Sequence, residues 1–130
     1  MGIKWKRGSQ ISDEIIADAE LTYGISLPQD IKDIVKKYNN GRPSISTFDS
    51  PIGKEHVVKK LISFKTDDVE NIYKVKNMLS TKDTALFPIA IDPAGNIICY
   101  YNGRIVYWLH ETDEVYPLAD SFSDFISKLY

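Results

Sequence analysis

Apolar and polar positions recur at two different periods along the chain, and the switch between them marks its elements. Near the start, Ile15, Ile16 and Ala19 form a helical stripe within Ile11–Leu21. Ser12 can cap this helix, Asp13 and Glu14 suit its positive first turn, and Gly24 ends it. The segment LPQDIKDIVKKYNNG, residues 27–41, repeats the period, with Ile31, Ile34, Val35 and Tyr38 on one face. Pro28 fits the first helical position, where its missing N–H costs nothing. Asp30 at one end and Lys36 and Lys37 at the other complement the helix dipole, and Asn40-Gly41 supplies a left-handed stop.

Residues 41–56 are rich in Gly, Pro and Ser and read as a loop with one short strand at Ile45–Phe48. Val57–Phe64 alternates through Val58, Lys60, Ile62 and Phe64, which predicts a strand. Asp67–Leu79 reads as a third helix with Val69, Ile72, Tyr73 and Lys76 on its inner side and Asp67, Asp68 and Glu70 as an acidic N-terminal cap. The closing DSFSDFISKLY predicts a fourth, capped by Ser121 or Ser123, with Phe122, Phe125, Ile126 and Leu129 spaced to dock on a sheet.

Between these helices lies FPIAIDPAGNIICYY, residues 87–101. Phe87, Ile89 and Ile91 alternate on one arm and Ile97, Cys99 and Tyr101 on the other, while Ala90, Ile98 and Tyr100 make the opposite face apolar too. That is the pattern of central strands covered on both sides. Asp92 to Asn96 is turn chemistry: Pro93 presets φ, Gly95 tolerates a positive φ, and Asp92 can bond forward to the turn backbone. Asn102-Gly103 is a second tight turn, leading into the β-prone run Arg104–Leu109. Three strands in an antiparallel meander are therefore expected.

Composition narrows the function classes. A chain of 130 residues fits one domain, 1–130, with one core, and 43% apolar content is too high for disorder. A formal net charge of −2 argues against a dedicated nucleic-acid binder. One cysteine excludes an internal disulfide framework or a multi-thiolate zinc site. The basic start, MGIKWKRGSQ, lacks the apolar run of a signal peptide or the Ser/Thr of a myristoylation site, and no stretch has membrane-spanning length. A cytoplasmic protein is expected.

The candidate chemistry is sparse. Cys99, His110 and Asp92 could form a thiolate–imidazole site, but mid-strand Cys99 should point into apolar packing and be inert, and the turn accounts for Asp92. His110-Glu111 resembles half of a zinc-binding HExxH, yet Glu114 stands where the second histidine belongs, and His56 is the only other histidine. The glycines are scattered singly, so there is no phosphate-cradling loop; Tyr100, Tyr101, Tyr107 and Trp108 read as sheet packing rather than as stacking platforms. No catalytic, metal-binding or cofactor-binding residue is therefore assigned, and no cofactor is expected. One asymmetry stands out: Ile105 to Ser127 contains no lysine or arginine but carries Glu111, Asp113, Glu114, Asp120 and Asp124, a candidate surface for a basic partner or simply a solvated edge.

In order along the chain, Tyr23-Gly24-Ile25, Leu27-Pro28, Tyr38-Asn39-Asn40-Gly41, Leu61-Ile62-Ser63-Phe64, Phe87 to Asp92 with Gly95-Asn96, Val106-Tyr107-Trp108, His110-Glu111 and the Ser121 to Ile126 helix resemble the SUKH superfamily, also called the Smi/Knr family. The family often has Asn-Gly-Gly where this chain has Asn39-Asn40-Gly41. The resemblance implies an α+β single domain, a mostly antiparallel sheet with a central meander packed by about four helices. It implies a protein-binding role without catalytic residues: in bacteria, immunity proteins that neutralise a cognate toxin domain, often a nuclease; in fungi, regulators of cell-wall assembly acting through protein contacts. The expected partner is thus a toxin domain, with no direct contact to nucleic acid or membrane. An enzyme dependent on Cys99 or His110 is the remaining alternative.

Overall fold

The computed structural model describes residues 2–79 and 85–130. In chain order its elements are β1 (Trp5–Lys6), α1 (Asp13–Tyr23), α2 (Gln29–Tyr38), β2 (Arg42–Pro43), β3 (Thr47–Ser50), β4 (Gly53–Val57), β5 (Lys60–Leu61), α3 (Ile72–Met78), β6 (Phe87–Ile91), β7 (Ile97–Tyr101), β8 (Arg104–Trp108), β9 (Val115–Ala119) and α4 (Phe122–Ser127). Strands β5 to β9 form one antiparallel sheet in sequence order, and β1–β2 and β3–β4 make two small antiparallel pairs. The architecture is α+β, and the meander over β6, β7 and β8 falls where the alternation places it.

Both faces of the central sheet are covered, because all five residues of β6 are buried although successive side chains point opposite ways. Phe87 meets the rings of Tyr23 and Phe64, both at 6.0 Å. Phe48, from the β3–β4 hairpin, packs edge-on to Tyr107 at 5.3 Å and to Phe125 of α4 at 5.4 Å. Asp30 links α2 to α4 by accepting from the Ser123 N–H at 2.9 Å.

Helix ends follow local chemistry. Ser12 Oγ accepts the Ile15 N–H, and Gly24 closes α1 at φ 60°. Pro28 stands one place earlier than expected, as the extended cap of α2 rather than inside its first turn. The left-handed residue after α2 is Asn40, at φ 66°. Gly41 serves proximity instead: a Cβ there would lie 2.7 Å from the Tyr38 carbonyl oxygen.

Four expectations change. Residues 41–56 hold three strands, not one: β3 starts later than Ile45, and β4, GKEHV, is too polar to betray itself by alternation. Val57–Phe64 is not a continuous strand. Val57 belongs to β4 and only Lys60–Leu61 joins the sheet, while Leu61, Ile62 and Phe64 are all buried without alternating. The third helix begins at Ile72, because Asn71 Oδ1 accepts the N–H groups of Tyr73 and Lys74, both at 3.0 Å. Asp67, Asp68 and Glu70 lie ahead of that cap, Val69 is 89% exposed, and Val75 takes the inner position. Finally, β9 forms a sheet edge that the reading did not expect; Pro117 within it fits an edge, where one donor fewer is tolerated.

Candidate functional site

The β6–β7 turn is built around one carboxylate. Asp92 Oδ1 accepts the N–H of Ala94 at 2.9 Å and of Asn96 at 2.8 Å. Its Oδ2 accepts from Asn96 Nδ2 at 3.1 Å and from the Tyr107 hydroxyl across the sheet. Asp92 is buried, and its four donors among the described residues are all neutral, so dipoles rather than a cation meet this carboxylate there. Burial first, and then the hydrogen bond to Asp92 and its charge, push the Tyr107 phenol well above its ordinary pKa.

Two further turns close around this one. The His110 N–H donates to Asn96 Oδ1 at 3.1 Å, tying the β8–β9 turn to the β6–β7 turn. On the other side stands Ile52, in the β3–β4 turn and 45% exposed. Between the three turns opens a cleft of about 410 Å³, within the range of ligand-sized pockets. The half-buried His56 ring packs at 5.2 Å on the buried Tyr107 ring, and His110 and Glu111 also line the cleft. Among the described residues, no lysine or arginine lines it.

One pair, His56 of the lining with Ser50 behind it, has the look of chemistry. His56 Nε2 lies 2.8 Å from Ser50 Oγ, a nucleophile-and-base distance. Ser50 Oγ also accepts the Ile52 N–H at 3.3 Å, which is ordinary turn bonding. No carboxylate hydrogen-bonds the His56 ring among the described residues, so the third member of a triad is missing there. What the cleft offers is the half-buried His56 ring, hydrogen-bond acceptors and a buried carboxylate.

Of the three residues considered for thiol chemistry, Asp92 and His110 come to this end of the sheet and Cys99 does not. Cys99 is fully buried in β7, opposite Pro88 and Val106, and burial pushes its thiol pKa up. A thiol reagent should therefore label native protein about a hundredfold or more slowly than unfolded protein. Rapid labelling without denaturant, followed at 412 nm with Ellman's reagent (~412 nm is the thionitrobenzoate band), would contradict that burial. His110 to Glu114 forms a turn with Asp113 at φ 60°, not the helix that HExxH requires.

The acidic run divides between the two ends of β9. Glu111 lines the cleft, Asp113 Oδ1 accepts the Trp108 indole N–H at 2.7 Å, and Glu114 accepts the Tyr116 hydroxyl at 2.8 Å. Asp120 and Asp124 lie beyond the other end, in a shallow cavity that also contains Arg104 and Lys128, and Asp124 pairs with Lys128 at 3.2 Å. A run continuous in sequence is thus two patches at opposite ends of β9, and the one with Asp120 and Asp124 sits beside Arg104 and Lys128. Sequence reasoning missed Ser50, Ile52 and His56 as members of a site, because the hairpin that carries them lacks alternation.

Comparison with known proteins matches residues 10–128 to the SMI1 / KNR4 family (SUKH-1). The chain is also 26% identical to the "SPbeta prophage-derived uncharacterized protein YokK" of Bacillus subtilis (strain 168), over 91% of this chain and 74% of that relative.

Proposed function

The chain belongs to the SMI1 / KNR4 family (SUKH-1), and from that premise we propose that it is an immunity protein: it binds a toxin domain encoded beside it, a nuclease by preference, and neutralises it by occlusion. The observation that carries this reading is the family match over residues 10–128, since the bacterial members that the sequence resembles are mostly of that kind. A relative carried by a prophage suits a protein that travels with mobile genes. Occlusion needs a surface and no chemistry of its own. A nuclease groove must be basic to hold a polyanion, and the Glu111, Asp113, Glu114 patch has the opposite sign. Asp120 and Asp124 contribute less, being beside Arg104 and Lys128.

Co-expression with the neighbouring toxin domain tests the proposal: growth should be rescued, and the two proteins should co-purify. Charge reversal locates the surface. Asp113 must be spared, because it holds the Trp108 indole and a left-handed backbone. Glu111→Lys with Glu114→Lys should slow association about tenfold at low salt and flatten its salt dependence, while thermal unfolding stays unchanged. A folded protein that neither rescues growth nor binds the domain ends the immunity reading. Binding to several host proteins, with no toxin gene alongside, would favour the regulatory module.

A further inference from the structure

Resting on the reading that the protein acts by binding a protein partner, we propose that the cleft between the β3–β4, β6–β7 and β8–β9 turns is the anchor of that interface and that its occupant is an arginine side chain of the partner. Four features of the cleft select a guanidinium. The half-buried His56 ring, packed at 5.2 Å on the buried Tyr107 ring behind it, gives the cleft a π surface on which a planar delocalised cation can stack. Asp92, buried in the lining and bonded to the Tyr107 hydroxyl, is met among the described residues by neutral donors, so no cation there cancels the field of its carboxylate. Glu111, an exposed residue of the lining, provides an acceptor fit for a forked donor, and among the described residues no lysine or arginine lines the cavity to repel one.

The surroundings favour a protein as the source of that arginine. Ile52 stands exposed at the rim, with half-buried Leu109 lining the cleft beside Glu111. A basic residue entering a pocket ringed by apolar and acidic side chains is the arrangement of an interface hot spot, in which the rim excludes water from the central contact. The pocket is also preformed: Asp92 fixes one turn, the His110-to-Asn96 bond joins the second to it, and Ser50 sets the third. Little side-chain freedom remains to be lost on binding.

Acetyl-arginine N-methylamide, which mimics an arginine within a chain, is the probe, followed by amide chemical shifts of the isotope-labelled protein. Saturable shifts are expected at residues 52, 94–96 and 109–112 and not at 120–124, with millimolar affinity. The capped citrulline analogue, equal in shape but uncharged, should leave them unmoved, and Glu111→Gln should weaken binding about threefold. The proposal is overturned if the cleft amides stay still, if citrulline serves as well, or if free arginine binds tenfold more tightly than the capped form, which would mark an amino-acid site. Because no toxin is involved, the outcome is independent of the rescue assay. Arginine binding without growth rescue would overturn the immunity reading alone, and rescue without arginine binding the cleft alone.

Discussion

Replacing Asn39 by alanine should lower the unfolding free energy by about 3 kcal/mol, or the melting temperature by roughly 10 °C. Asn39 is fully buried at the end of α2, and its amide ties that end to the Ser63–Phe64 segment. Oδ1 accepts the Phe64 N–H at 2.8 Å, and Nδ2 donates to Ser63 Oγ at 3.0 Å. Ser63 Oγ in turn donates to Asp68 and accepts the Lys65 N–H at 3.0 Å. Alanine leaves the amide of buried Phe64 without a partner, and an unmet buried donor costs about 1–3 kcal/mol by itself. The lost bond to Ser63 and the small void add to that. Ser63→Ala attacks the same network, so the two changes should be non-additive by about 0.5 kcal/mol or more in a double-mutant cycle. A loss below about 1 kcal/mol for Asn39→Ala, or strict additivity with Ser63→Ala, would show that water replaces the network.

That network explains how much of the chain could be read in advance. Periodicity reveals an element when burial is periodic. It placed α1, α2, α4 and the β6–β8 meander because each has a buried face matching a helical or two-residue period. It failed from Val57 to Phe64, where Ser63 and its hydrogen bonds hold the backbone out of the sheet although neighbouring side chains are apolar. It also failed at β4, which is polar and mostly exposed, and at β9, whose VYPLA is apolar throughout and so shows no alternation. The start of α3 was misplaced because acidic residues suggest a helix start, whereas the backbone responds to the side chain able to bond it, Asn71.

The candidate site was legible only in fragments. Asp92 was readable as a turn residue, since an aspartate before Pro-Ala-Gly-Asn has one natural use. That the same carboxylate also receives the Tyr107 hydroxyl depends on the register Ala90↔Ile98↔Tyr107, which composition does not contain. Charge had the converse problem: five acids without a cation look like one surface in sequence, but β9 separates them into two. Sequence reports which charges are near along the chain; the strand decides which are near in space.

Asp92→Ala should be the more damaging change, at about 4 kcal/mol. It strips a partner from the Ala94 and Asn96 backbone amides, from the Asn96 side chain and from the buried Tyr107 hydroxyl. Water can reach the half-buried turn to replace some of these bonds but cannot readily reach Tyr107, which is 1% exposed. Asp92→Asn is the sharper probe. It keeps the shape but must aim an NH2 at donors on one side, either the Tyr107 and Asn96 side chains or the two turn amides. If the Tyr107 bond dominates, adding Tyr107→Phe to Asp92→Asn should cost less than the sum by about 1 kcal/mol or more. Alkaline unfolding gives a second readout. The folded pKa of Tyr107 lies above its unfolded value near 10, so its contribution is whole below that pH and is lost as the pH rises through the folded value. Wild-type stability should thus fall above about pH 10 more steeply than that of Tyr107→Phe, a comparison that cancels the other tyrosines. If the two fall alike, or if Asp92→Asn is as stable as wild type, the carboxylate does not hold the Tyr107 hydroxyl and the cleft loses its buried charge.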